Sequence, residues 1–249
     1  MKSKEPYITC IVSKGRTFRI KPMEDMVENP VWFVPKEELD DYLAEYTKGG
    51  VVPCESGLSV QRNEALEYCF KQDKICLMLD DDVDGFIHVL NKKEKEDTSF
   101  DFAIKELYTQ LMNSPFNLGG FTYVTNLFWY NPMKRISTKS ALPAQTLMVK
   151  PSKPRFDTNL EVSEDTDFSL QHIVEYGGLI QINYLQGDAN ETRLDNKKLI
   201  YKKTMKGGIE KTVEKQKFAS EYLRKKWGNL LKDAKTPFSV AFNRKGTGL

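Results

Sequence analysis

The sequence predicts an α/β domain: a mostly parallel, Rossmann-like sheet flanked by helices, with a basic helical segment at the C-terminus. Three observations carry this. Short apolar runs alternate with helical patterns through the first 86 residues, as parallel strands joined by crossover helices require. The apolar run Cys76-Leu77-Met78-Leu79 reads as a buried strand and leads directly into Asp80-Asp81-Asp82. Charge is also segregated: residues 197–249 carry 15 Lys/Arg against 4 Asp/Glu, and the remainder 22 against 31, within a net charge of +2.

The elements follow in order. Tyr7 to Val12 predicts the first strand, closed by Ser13-Lys14-Gly15-Arg16. Val31 to Val34 predicts the second, after which Pro35 opens a helix at its first position. Leu39, Tyr42, Leu43 and Tyr46 recur at helical spacing until Gly49-Gly50. Val51-Val52-Pro53 is a short third strand. The next helix buries Ala65, Leu66, Cys69 and Phe70. Phe100 to Met112 predicts a helix with Phe102, Leu107 and Leu111 inward. Phe121 to Tyr130 and Ala144 to Val149 read as strands, Asp165 to Tyr176 as a helix stopped by Gly177-Gly178, and Leu179 to Tyr184 as the last core strand. The polar stretch Gln186 to Leu199 reads as a loop, and Ile209 to Trp227 as a basic helix.

One domain over 1–249 is expected: a nucleotide-binding half (1–90), a second half (91–190) and the basic segment (191–249). No apolar run approaches the roughly 20 residues needed to span a bilayer, and no apolar signal region follows the N-terminus. The expectation is a soluble, cytoplasmic, monomeric protein that makes no membrane contact. Cys10, Cys54, Cys69 and Cys76 form no Cys-x-x-Cys pair and have no His at zinc spacing; Cys10 and Cys76 read as buried free thiols. Neither G-x-x-x-x-G-K-[ST] nor G-x-G-x-x-G is present, nor a hydrolase elbow, which disfavours phosphate-loop nucleotidases, dinucleotide dehydrogenases and serine hydrolases.

Ligands of open parallel sheets bind beyond the carboxyl ends of the strands. Arg16, Arg62-Asn63 and Asp80-Asp81-Asp82 all map there. An arginine fork suits phosphate, an amide suits a base or ribose, and the acids suit a divalent cation shared with phosphates. The alternatives are a solvated acidic turn and arginines that only pair with nearby acids. A second acidic site, Ser163-Glu164-Asp165, either caps a helix or accepts a proton from a hydroxyl. Lys206-Gly207-Gly208 suits an anion or is a flexible loop. The basic segment suits a polyanion or is a solvated face.

These motifs together resemble a GT-A glycosyltransferase. Gly57-Leu58-Ser59-Val60-Gln61-Arg62-Asn63, Leu79 to Phe86, Glu164 to Gln171 and Thr204 to Gly208 are similar, in order and spacing, to the TET/JBP-associated glycosyltransferases, which include the base J glucosyltransferase and related phage enzymes. The resemblance spans about residues 7 to 227. It implies a UDP-sugar donor, glucose by default, and an acceptor on hydroxymethylated or already glycosylated pyrimidines in DNA. It implies that Asp80 and Asp82 position Mn2+ or Mg2+ and the diphosphate, with Asp81 at the ribose or sugar. Arg16, Arg62 and Asn63 would hold uridine. Asp165 would be the base of an inverting transfer with Glu164 beside it, and Lys206, Gly207 and Gly208 would close over the diphosphate. Asp82 stands where relatives often have Asn, and neither His88 nor His172 follows the last core strand. With a DNA acceptor, Lys211, Lys215, Arg224, Lys225 and Lys226 would meet the backbone, and Trp227 or Phe128-Trp129-Tyr130 would stack on an extruded base. Two other readings share the sequence: a GT-A enzyme acting on a saccharide or protein, and a non-catalytic DNA-binding protein on a degenerate fold.

Overall fold

A computed structural model describes residues 6–45, 49–122, 130–189, 193–195, 200–202, 212–234 and 239–243. The first 80 residues build the parallel part of the sheet. Strands β1 (Tyr7–Val12), β2 (Val31–Pro35), β3 (Gly50–Cys54) and β4 (Ile75–Asp80) lie in the order β3-β2-β1-β4, all parallel. Helices α1 (Ile20–Met26), α2 (Leu39–Glu45) and α3 (Leu58–Phe70) make the crossovers.

Beyond β4 the sheet is mixed. The chain adds β5 (Val83–Val89), β6 (Lys95–Thr98), α4 (Phe100–Met112), β7 (Leu118–Thr122), β8 (Ile136–Ser137), β9 (Thr146–Val149), α5 (Glu164–Tyr176) and β10 (Ile180–Ala189). The order continues β4-β9-β7-β10-β5-β6, with β8 also on β10. β9 is antiparallel to both β4 and β7, and β10 is parallel to β7. The carboxyl ends of β1, β2, β3, β4, β7 and β10 therefore share one edge of the fold. Two small hairpins follow, β11 (Arg193–Asp195) with β12 (Ile200–Lys202) and, after helix α6 (Val213–Trp227), β13 (Leu231–Asp233) with β14 (Val240–Phe242).

Side chains along a strand alternate between faces, and this divides the interior into two cores. Cys10, Val12, Cys76 and Met78 pack with residues of α3, α5 and α6 on one face; Ile11, Leu77 and Leu79 pack with α1, α2 and α4 on the other. The domain is a three-layer α/β/α sandwich. Among the described residues no helix is long and apolar enough to cross a membrane.

Several expectations change. Pro35 ends β2 instead of opening a helix, and a 3-10 turn (Lys36–Glu38) precedes α2. Phe102 is exposed, whereas Leu107 and Leu111 are buried. The strand read over Phe121 to Tyr130 is displaced to Leu118–Thr122; residues 123–129 lie outside the described residues. β10 runs on through Gln186 to Ala189, because its backbone pairs with β5 whatever the polarity of its side chains. The hairpin β5–β6 was not legible: Val83, Phe86 and Val89 are its buried residues, spaced by three and not two.

Gly120 of β7 is a point of close approach. A Cβ there would lie 2.9 Å from the Thr146 carbonyl oxygen of neighbouring β9. Backbone cannot yield as a flexible side chain can, so Gly120→Ala should destabilise the fold by roughly 1–3 kcal/mol. Urea denaturation of the variant checks this; wild-type stability would show that the strands part at no cost.

Candidate functional site

Cys76, Met78 and Asp80 alternate onto the α3–α5 face of β4, so the carboxylate of Asp80 meets both helices. Arg62, in the first turns of α3, sits in the angle between them. Its Nη2 donates to Asp80 Oδ1 at 2.8 Å and Oδ2 at 3.1 Å, and its Nη1 donates to Glu164 Oε1 of α5 at 2.6 Å. The Arg62 side chain is 2% exposed. Burial opposes its charge, but Asp80 and Glu164 outweigh that and raise its pKa. Burial in turn raises the pKa of Glu164, with Arg62 opposing. Arg62 thus joins the two acidic sites that the sequence presents 84 residues apart.

Asn63 is the adjoining support. Its Nδ2 donates to the Phe156 carbonyl at 2.9 Å, and its Oδ1 accepts from the Phe156 N–H at 2.8 Å. The Phe156 ring lies 5.2 Å below the Arg62 guanidinium and stacks on Phe168 of α5 at 4.0 Å. The amide expected to hold uridine is therefore engaged with backbone, and Asn63 acts by positioning Arg62 and α5.

Asp81, one residue past the strand, falls to the opposite face and is buried. Arg16 Nη1 and Ser13 Oγ both donate to it, and Ser13 Oγ also bonds Tyr42 Oη at 2.6 Å. Burial lifts its carboxyl to about 6 against the pull of Arg16 and Ser13. In the structure Asp81 and Arg16 pair with each other, where the resemblance implies a ribose or sugar for the one and uridine for the other. Arg19, which sequence reasoning missed, donates to the Asp81 carbonyl at 2.6 Å, the Val83 carbonyl at 3.1 Å and Asp84 Oδ1 at 2.8 Å. Its spacing from Arg16, one helical turn, was the available signal.

Asp82 is different. Among the described residues its buried Oδ1 has no hydrogen-bond partner, and the nearest cation, Arg16 Nη1, is 3.6 Å from Oδ2. Burial, then the neighbouring charges of Asp80 and Asp81, lift its carboxyl to about 7. Among the described residues, Asp80, Asp81, Asp82, Asp84 and Glu164 stand against Arg16, Arg19 and Arg62, which leaves the carboxylates in surplus there. An orphaned, buried carboxylate oxygen in such a surplus fits a hard divalent cation. The triad itself does not bring three ligand atoms within 4.8 Å; among the described residues only Cys10, Cys69 and Cys76 do so.

At the start of α5, Ser163 adopts a left-handed conformation with φ 61°, uncommon outside glycine. It makes no side-chain cap; its Oγ accepts instead from Gln216 of α6 at 3.0 Å. Asp165 does not cap either: its Oδ1 accepts from the N–H of Thr166 at 2.7 Å, and the side chain remains partly exposed. A further latch joins α6 to α5. Asp167, fully buried, accepts from Trp227 Nε1 at 2.7 Å and from Lys226 Nζ at 3.0 Å.

This docking changes the reading of the basic helix. Lys226 also pairs with Asp157, Lys215 with Glu161 and Arg224 with Asp233. Those three cations are matched by acids of the same chain, and Lys225 is exposed. Trp227 is tied to Asp167, and Tyr130 is buried, so neither is a free stacking platform. Lys206, Gly207, Gly208, Lys211, Phe128 and Trp129 lie outside the described residues. His172 is a packing residue: it is fully buried between Phe168 and Tyr176, and burial, then Arg155, lowers its pKa to about 3. No protein-family model and no curated protein matches the chain.

A raised carboxyl has a stability signature. Folded Asp82 retains its proton up to about pH 7, whereas in the unfolded chain an Asp loses it near 3.9. Between those values the native state binds the extra proton, so this group makes stability fall as pH rises. Asp82→Asn should remove that slope and stabilise the metal-free protein by roughly 1–2 kcal/mol at about pH 8, with little gain near pH 4. Denaturant titrations in chelator across that range check it. An Asp82→Asn protein less stable than wild type at the upper pH would contradict the assignment.

Proposed function

We propose that this protein is a GT-A-type glycosyltransferase that moves a sugar from a UDP-sugar to the hydroxymethyl group of a modified pyrimidine in DNA, or to a sugar already on it. The observation that carries the reading is the buried Asp80–Arg62–Glu164 bridge. It brings the acids suited to a donor diphosphate and the acids suited to an acceptor hydroxyl to one end of one sheet, where open α/β sheets bind ligands. The ordered resemblance to the TET/JBP-associated glycosyltransferases supplies the substrate class.

In this reading Asp82 and Asp80 would hold Mn2+ or Mg2+, which would supply positive charge to stabilise the departing diphosphate. Arg62 aims Asp80. Asp165 accepts the proton of the acceptor hydroxyl as that oxygen forms its bond to the anomeric carbon. The bond to the diphosphate oxygen breaks on the opposite face, and its electron pair leaves with the nucleotide. Thr166 fixes one oxygen of Asp165, and Glu164, held by Arg62, fixes the turn that presents it. Lys206, Gly207 and Gly208 are the proposed partners of the diphosphate. A second reading, a saccharide or protein acceptor, is favoured by the intramolecular pairing of Lys215, Arg224 and Lys226, which reduces the charge offered to DNA.

Asp165→Asn should fold, bind the UDP-sugar with Mn2+ as wild type does, and lose transfer by about 10²–10⁴-fold. Mass spectrometry of nucleosides from hydroxymethylated DNA, with calorimetry for donor binding, measures both. Near-wild-type transfer would overturn the assignment of the base. Transfer to free saccharide or protein but not to DNA would select the second reading.

A further inference from the structure

The molecule carries a second cluster of ligand-type side chains, away from the acids and independent of any glycosyl transfer. Cys10 of β1, Cys69 of α3 and Cys76 of β4 converge in the core beneath α3, all fully buried and all free thiols. Their sulfur atoms lie within 4.8 Å of one another, and Cys10 and Cys69 are 3.4 Å apart. Three different elements thus deliver three sulfurs to one point. Met78 adds a thioether to the same core: it is directly opposite Cys10 in the β1–β4 register and, two residues from Cys76, on the same face.

We propose that Cys10, Cys69 and Cys76 form a buried binding site for a soft monovalent cation of the copper(I) type. Ligand softness is the first argument. Thiolate and thioether donors select copper(I), whereas magnesium, calcium and manganese require oxygen. Ligand number is the second. Three fully buried sulfurs from three elements meet at this point, and a copper(I) ion accepts a shell of three. Zinc is disfavoured by that number, since structural zinc requires four protein ligands.

The site also lies behind the acids. Cys76 precedes Asp80 by four residues on β4, and Cys69 follows Arg62 by two turns on α3. Loading it ties together the strand and the helix that carry the Asp80–Arg62 pair, so the bound form should be the more heat-stable one.

The test is copper(I) titration of the full chain, reduced and anaerobic, against a chromophoric copper(I) chelator. Wild type and Cys54→Ala, which alters the buried thiol outside the cluster, should retain copper with equal affinity. Cys69→Ala and Cys10→Ala should each lose at least about tenfold, the usual cost of disturbing a metal site. Circular dichroism verifies that each variant is folded. X-ray absorption of the copper-loaded wild type gives a readout that needs no variant, and an all-sulfur shell is expected. Wild-type affinity in folded Cys69→Ala, a nitrogen or oxygen shell, or no retention by wild type would each overturn the proposal.

Discussion

The guanidinium of Arg62 lies between two carboxylates that belong to different halves of the chain, and the geometry of the acidic end of the sheet depends on it. Removing such a group from water is costly, and only close, well-directed partners offset that cost. Arg62 has them: two contacts to Asp80 and one to Glu164, with the Phe156 ring against its face. A lysine could not reproduce the planar fork. Removing one partner would leave a buried charge unmatched, at about 3–5 kcal/mol by analogy with other buried pairs. The reach of the bridge is long because its supports are shared. Asn63 clamps Phe156, Phe156 stacks on Phe168, and Phe168 belongs to the helix that starts at Glu164.

Asp82 stands in contrast to this charge-paired bridge. Guanidinium groups from elsewhere in the chain reach Asp80, Asp81 and Asp84 of this turn, yet among the described residues nothing bonds to one buried oxygen of Asp82. Stability alone would favour Asn there. Natural proteins depart from local consistency mostly where function requires it, and an under-neutralised acid beside a matched network is such a departure. The left-handed Ser163 before Glu164-Asp165 is a second. It persists because α6 braces it through Gln216, and Lys226 and Trp227 anchor that helix on Asp167. The C-terminal helix is therefore part of the scaffold of the site.

Much of this was legible from residues alone. The four parallel strands and the helices after β2 and β3 follow from periodicity, whereas α1 (Ile20–Met26) carried no expectation, and Asp80 to Asp82 fall at the end of β4 as the apolar run requires. What pattern could not supply was partnership. Arg62 and Glu164 are 102 residues apart, and no local signal announces that one guanidinium serves both acidic motifs. Asp80 and Asp81 look equivalent in sequence, but the twofold alternation of a strand sends them to opposite faces and to different arginines. Helix α6 shows the same kind of hidden partnership: the acids that pair with Lys215, Arg224 and Lys226, namely Glu161, Asp233, Asp157 and Asp167, lie outside it. Hairpin β5–β6 escaped because its buried positions break the period of two.

The central claim is that the Arg62-bridged acids form one donor-binding end of the sheet. Crystals grown with UDP-sugar and Mn2+, measured at the manganese absorption edge, test it most directly. The account predicts an anomalous peak in coordination range of Asp82 and of the donor diphosphate, with Arg62 still joining Asp80 to Glu164. A donor and metal bound elsewhere on the molecule, with the acidic turn unengaged, would contradict it.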